Sequence, residues 1–169
     1  TGAGVAELSD AGDFAADEPF SCGAWIKLPA EDRMGAIVAR LDDQHGYRGW
    51  DLWVEQRRVG THIIHQWSDD ALKVVARDQI PADKWTHVLI TYDGSRKAAG
   101  VQIYINGQSQ PTTVQADALQ GDIHTSVRPG SSSRSRMVSA TACTMAFSGM
   151  HWQVLCSITA SIEVSSSRE

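Results

Sequence analysis

The chain has 169 residues, 42% hydrophobic and 21% charged, which is one domain's worth of sequence and enough to enclose a core. Its net charge of -5 and pI near 5.6 exclude the basic face that phosphate neutralisation needs, so no nucleic-acid partner is expected. No apolar run has the length needed to span a bilayer.

Thr1 is preceded by neither an initiator Met nor a signal sequence, so the chain reads as a fragment of a longer protein whose targeting information lies elsewhere. The first segments are short, rich in β-branched and aromatic residues, and bounded by Gly, Pro, Asn and Asp, which is the pattern of strands. In order they are Phe20 to Leu28, ending at Pro29; Gly35 to Leu41, ending in Asp42-Asp43; Gly49 to Glu55; and Arg58 to Gln66. Trp85 to Tyr92 follows and stops at Asp93-Gly94, then Val101 to Ile105 stops at Asn106-Gly107. Asn106-Gly107 predicts a two-residue type I′ hairpin, because Asn-Gly tolerates positive φ at both central positions, and the next strand should begin at Gln108. The stretch Val114–Gln120 is the one segment that reads as a short helix. Many short strands without intervening helices predict an all-β antiparallel sandwich of jelly-roll type. Cys22, Cys143 and Cys156 are an odd count at wide spacing, so they define neither a disulfide framework nor a zinc site and read as buried thiols.

Two segments carry a family resemblance. Phe20-Ser21-Cys22-Gly23-Ala24-Trp25-Ile26-Lys27 is one; Trp85-Thr86-His87-Val88-Leu89-Ile90-Thr91-Tyr92-Asp93-Gly94 with Val101-Gln102-Ile103-Tyr104-Ile105-Asn106-Gly107 is the other. Together they resemble the opening strand and core hairpin of laminin G-like domains in the concanavalin A-like lectin/glucanase superfamily. Ala11-Gly12-Asp13-Phe14, Tyr47 to Glu55 and Val59 to Ile63 are further similar to an insert in large planctomycete secreted proteins that carry cytochrome c-like domains. The resemblance runs from about Gly4 to Val127 and implies an extracellular or periplasmic setting. In this reading Trp25 and Trp85 supply core area, and Tyr92-Asp93-Gly94 ends a buried strand in a turn.

After Val127 the character changes. Gly130 to Glu169 holds eleven serines, no Lys and no Asp, with no strand alternation before Trp152–Leu155. The division read from the sequence is therefore a sandwich over residues 1–128 and an atypical Ser-rich tail of low order over 129–169. In a shifted reading frame Arg136–Gly149 can spell D-G-V-G-D-G-V-H-D-G-V-F-R, with Ala-Leu one codon later, similar to the family's closing strand. The expectation is a tail translated out of frame, set against a Ser-rich linker or a divergent strand pair. Incomplete or irregular closing strands follow from it, because a sandwich without its last strands exposes edges that would pair.

Glycoside hydrolases of the same superfamily carry E-x-D-x-E on one strand face, and a retaining enzyme needs its two carboxyl groups about 5–5.5 Å apart. The nearest segment here is Asp51-Leu52-Trp53-Val54-Glu55, with Asp51, Trp53 and Glu55 on one face and a Trp where the central acid would stand. No catalytic residue is assigned. The same face suits binding: Trp53 as a stacking platform, Asp51 and Glu55 as hydroxyl acceptors, and Arg48 beside them. The alternative is that Trp53 packs under a loop and the acids are solvated. His62 and His65 are three apart on a strand, on opposite faces, and His87 reads as structural. Asp42 and Asp43 are candidate ligands for a structural calcium, against a solvated acidic turn, and Asp69-Asp70 reads likewise. Arg57-Arg58 reads as a turn pair. Three functions compete: recognition of a glycan or protein surface within a larger secreted protein, architectural packing against flanking domains of that protein, and a glucanase relative. The fold alone does not choose among them.

Overall fold

The computed structural model describes residues 12–31 and 34–125, and the backbone of two further strands at 140–144 and 155–160. The chain runs through β1 (Phe20–Lys27), β2 (Gly35–Asp42), β3 (Arg48–Glu55), β4 (Arg58–Gln66), β5 (Asp70–Ala76) and β6 (Trp85–Tyr92). A 3-10 turn at Ala98–Gly100 leads into β7 (Val101–Ile105), β8 (Gln108–Ser109) and β9 (Thr112–Asp117), with β10 (Ala140–Thr144) and β11 (Leu155–Ala160) last. These make two sheets, one of five strands in the order β2-β3-β4-β5-β9 and one of six in the order β10-β11-β1-β6-β7-β8. The expected all-β sandwich is what the chain forms.

Alternation sorts the faces. In β1 the side chains of Phe20, Cys22, Ala24 and Ile26 point into the core, as do Trp50, Leu52 and Val54 of β3 and Val88, Ile90 and Tyr92 of β6. Phe14 and Phe20 stack with centroids 4.5 Å apart, and Trp50 and Tyr92 close around Phe20 at 5.2 and 5.5 Å. Each such side chain, fully buried, contributes on the order of 1.5–3 kcal/mol. The core therefore joins one face of each sheet.

Asn106 and Gly107 have φ of 49° and 78°, the type I′ geometry expected, and β8 begins at Gln108. Three readings from the sequence are corrected, and one strand is added. Val114 belongs to strand β9 rather than to a helix, because Val74, Val75 and Ala76 of β5 pair with Val114, Thr113 and Thr112 and fix an edge strand. β5 is the added strand, in the stretch between Gln66 and Trp85. Trp25 and Trp85 lie outside the core, 41% and 46% exposed, because the inward parity of β1 and β6 belongs to their neighbours. Arg57-Arg58 is not one turn pair: Arg57 is the second turn residue after Gln56, and Arg58 opens β4.

β11 adds to β1 in parallel, Cys22 opposite Cys156, whereas the other pairings are antiparallel, and the β10–β11 ladder is broken between Thr141 and Cys143. This is an irregular closure of an antiparallel sandwich. The remaining tail residues, including most of the segment read as out of frame, lie outside the described residues.

Candidate functional site

The outer face of the five-stranded sheet is built in rows by strand register. Asp51, His62 and Lys73 face one another across β3, β4 and β5; Trp53, Gly60 and Val75 form the next row; Glu55 and Arg58 close the β3–β4 hairpin. Because side chains two apart share a face, this one carries Asp51, Trp53 and Glu55 while Leu52 and Val54 serve the core.

Asp51 is buried, and its carboxylate is engaged by His62. One oxygen accepts the His62 backbone N–H at 2.8 Å, and both lie 3.0 Å from the imidazole Nδ1. His62 then stacks on Trp53, centroids 5.1 Å apart at an angle of 22°. The indole lies across Gly60, where a Cβ would stand 2.9 Å from Trp53 Nε1; only glycine leaves that seat open. The Lys73 ammonium sits over the ring at 5.1 Å from its centroid and 5.8 Å from that of Trp67, a cation–π arrangement. Trp67 meets His62 edge-on at 5.2 Å. Trp53 is thus 6% exposed, with an indole N–H that finds no acceptor among the described residues.

Beside Trp53 the face opens into a cleft of about 350 Å³, bordered by Trp53, Glu55, Arg58, Arg77, Thr113 and Gln115. Its rim is set by the Gln56-Arg57 turn, in which two non-glycine residues hold φ of 49° and 55°. Such geometry costs on the order of 1–3 kcal/mol per residue and persists only where surroundings enforce it. Here they do. Gln79 Nε2 donates to Gln56 O at 2.9 Å, Arg57 donates to Gln79 Oε1 at 3.2 Å, and Ile80 N donates to Arg57 O at 2.8 Å. The two cleft arginines are braced from behind: Arg58 Nε donates to Arg77 O and Arg77 Nε to Thr112 O, each at 3.0 Å.

The structure therefore brings Trp53 and Glu55 of the expected set into one cleft and leaves the other two elsewhere. Asp51 lies one row away beneath His62, and Arg48, at the far end of β3, donates from Nε to His65 O at 3.3 Å. Asp42 ends β2 and turns to the loop that follows, accepting Gln44 N at 3.1 Å and lying 2.8 Å from His45 Nδ1; Asp43 opens that turn. Among the described residues, no group of three or more His, Cys, Asp or Glu side chains is placed to hold a metal ion. Asp70, read as a solvated acid, instead caps the 120–121 backbone, accepting Gln120 N at 2.6 Å and Gly121 N at 3.0 Å. Arg58, Arg77, Thr113 and Gln115 were missed. Alternation on β3 extended across the register would have found Arg58; the others needed β5 and β9 to be recognised as strands.

No curated protein matches the chain. Residues 1–141 match the laminin G-type family model described as the concanavalin A-like lectin/glucanases superfamily, a span that extends past the boundary at 128 read from the sequence. With a two-sheet sandwich, the Asn106-Gly107 hairpin and this match over most of its length, the chain belongs to the laminin G-like family of the concanavalin A-like lectin/glucanase superfamily.

Proposed function

We propose that the chain is a non-catalytic recognition module that binds a glycan or a protein surface through the outer face of the five-stranded sheet, within a larger protein exported from the cytoplasm. The observation that carries this reading is the cleft beside Trp53. Its rim is held by the braced Gln56-Arg57 turn, and its walls offer guanidinium donors, a hydroxyl, an amide and one carboxylate. Sites of this kind combine an apolar floor with a few fixed polar groups. Family membership is compatible with carbohydrate or protein binding. Among the described residues no helix is long and apolar enough to cross a membrane.

Hydrolysis is disfavoured because, among the described residues, Glu55 is the one carboxylate lining the cleft, while Asp51 is tied to His62. The reading is tested on an array of saccharides and extracellular proteins, comparing the wild type with Gln115→Trp, which fills the cleft from an exposed edge strand. Saturable binding abolished by that change supports the proposal. Binding indifferent to it places the ligand elsewhere, and β-glucan hydrolysis lost in Glu55→Gln would replace recognition by catalysis.

A second reading, architectural packing against a flanking domain, is favoured by the opposite face. Trp25 and Trp85 stand out from the six-stranded sheet, with His87 5.3 Å from Trp25. If that face packs in the parent protein, acrylamide quenching of these tryptophans should be strong in the isolated chain and weak in the longer protein. Equal quenching in both removes this reading.

A further inference from the structure

We infer that the cleft beside Trp53 selects a saccharide bearing an anionic group, a carboxylate or a sulfate ester, which Arg58 and Arg77 receive together. The inference rests on the proposed recognition role of this face and adds the chemical class of its ligand.

The argument begins with charge. The whole chain carries a net charge of -5, so a local excess of cations runs against the global balance. Arg58 and Arg77 line the cleft and Lys73 stands in the adjoining row. None of the three makes an ion pair with a carboxylate among the described residues. The pairs present there are instead Arg40–Asp13 and the histidine pairs of His45, His62 and His124. Glu55 is the register partner of Arg58 across the hairpin, yet it too forms no ion pair among the described residues. Two guanidinium groups against one carboxylate leave the cleft cationic.

Hydrogen bonding sharpens this. A guanidinium has five N–H donors in a planar fork suited to carboxylate, sulfate and phosphate oxygens. In Arg58 the Nε is engaged by Arg77 O and Nη1 by Gln56 Oε1 at 3.3 Å, so among the described residues Nη2 is left to the cleft. In Arg77 the Nε is engaged by Thr112 O, so among the described residues both terminal nitrogens are left. The backbone bonds fix where these donors sit, which lowers the ordering cost of binding. Gln115 and Thr113 on the facing edge strand add neutral donors and acceptors of the kind that match sugar hydroxyls. The Glu55 carboxylate, in the same cleft, suits a hydroxyl rather than a second anion. This mixture fits a saccharide with one acidic substituent per bound unit better than a uniformly acidic peptide, which would meet Glu55 repulsively.

The test is titration calorimetry of the full chain with four probes of matched length: a neutral gluco-oligosaccharide, an oligo-uronate, a sulfated oligosaccharide and a poly-glutamate peptide. Each is measured at low and high salt and with Arg58→Gln, Arg77→Gln and the exposed control Lys84→Gln. Charge-assisted hydrogen bonds of this sort carry about tenfold in affinity each or more. The expected result is binding of the uronate or the sulfated probe, whichever is the source. It should weaken at high salt, fall about tenfold in either cleft variant, and stay unchanged in the control. Melting temperatures equal to the wild type show that the substitutions leave the fold intact. Neutral saccharide bound as tightly as the acidic ones overturns the inference and leaves the recognition role standing. Peptide binding alone overturns the saccharide assignment and leaves recognition of a protein surface. Binding of none of these probes, nor of any array component, overturns both.

Discussion

Tyr92 shows how one residue holds two distant parts of this fold. Its ring sits against Phe20 in the core, while its hydroxyl donates to Ala16 O at 2.7 Å and accepts from Arg96 N at 2.8 Å. Burial pushes the phenol above its ordinary pKa, so it keeps its proton and its donor role at neutral pH. Tyr92→Phe keeps the ring but strands a buried carbonyl and an amide; the expected loss is about 1–3 kcal/mol of unfolding free energy, read by urea denaturation. An unchanged midpoint would show that water replaces the hydroxyl at no cost. Residue identity misleads where bulk is taken for burial: Trp25 and Trp85 are large, yet strand parity turns them outward. Phe20, Cys22, Ala24 and Ile26 already claim the inward positions of β1, so this correction was available from alternation alone.

At the level of elements, the strands most plainly legible in the sequence have one wetter face or a sharp turn. β6 alternates strictly between buried and more exposed positions, and β7 runs into Asn106-Gly107. β5 is illegible because it lies between β4 and β9 with both faces buried apart from Asp70 and Lys73, so Ala71, Leu72, Val74 and Val75 show no period of two. β9 was illegible for the opposite reason: an edge strand with Thr113, Val114 and Gln115 exposed takes its identity from pairing with β5. The site inherited the same limit. Trp53 and Glu55 follow from β3 alone, but Arg77, Thr113 and Gln115 are brought to them by cross-strand register. The β3–β4 hairpin also carries a strained turn at Gln56-Arg57 that Asn-Gly would occupy without penalty. Replacing Gln56-Arg57 by Asn-Gly should raise stability by about 1 kcal/mol, through relief of the two positive φ angles set against the lost Gln79 contact. A fall in the thermal midpoint would mean that the Arg57–Gln79 bond outweighs the strain.

The whole molecule is closed by ties between residues 13–16 and 122–125. Thr125 N donates to Asp13 at 3.0 Å, Ala16 N donates to Asp122 at 3.1 Å, and Arg40 reaches both Thr125 O at 2.9 Å and Asp13 at 3.4 Å. The Asp122 tie makes the fold acid-sensitive. Burial acts on Asp122 to raise its pKa, but backbone N–H groups of Ala16, Ile123 and His124 and the His124 charge outweigh it, so the net shift is downward. Asp93 is lowered by hydrogen bonds from the Ser95 side chain and backbone. Carboxyls lowered in the folded state stabilise it above their ordinary value of 3.8, and that stability is lost as pH falls through their folded values. Burial lowers His87 below 6.5, so the unfolded chain takes up that proton more readily and stability falls as pH drops below 6.5. Denaturation across pH should therefore show stability declining below about 6.5 and again below about 4; a gain on acidification would contradict the assignment. The central claim, that ligand is received on the outer face of the five-stranded sheet, is tested most directly by mapping backbone amide shifts during titration with an acidic oligosaccharide. The account predicts that the moving resonances cluster at Trp53, Glu55, Arg58, Arg77, Thr113 and Gln115. Shifts confined to Trp25, Trp85 and His87 on the other sheet would contradict it.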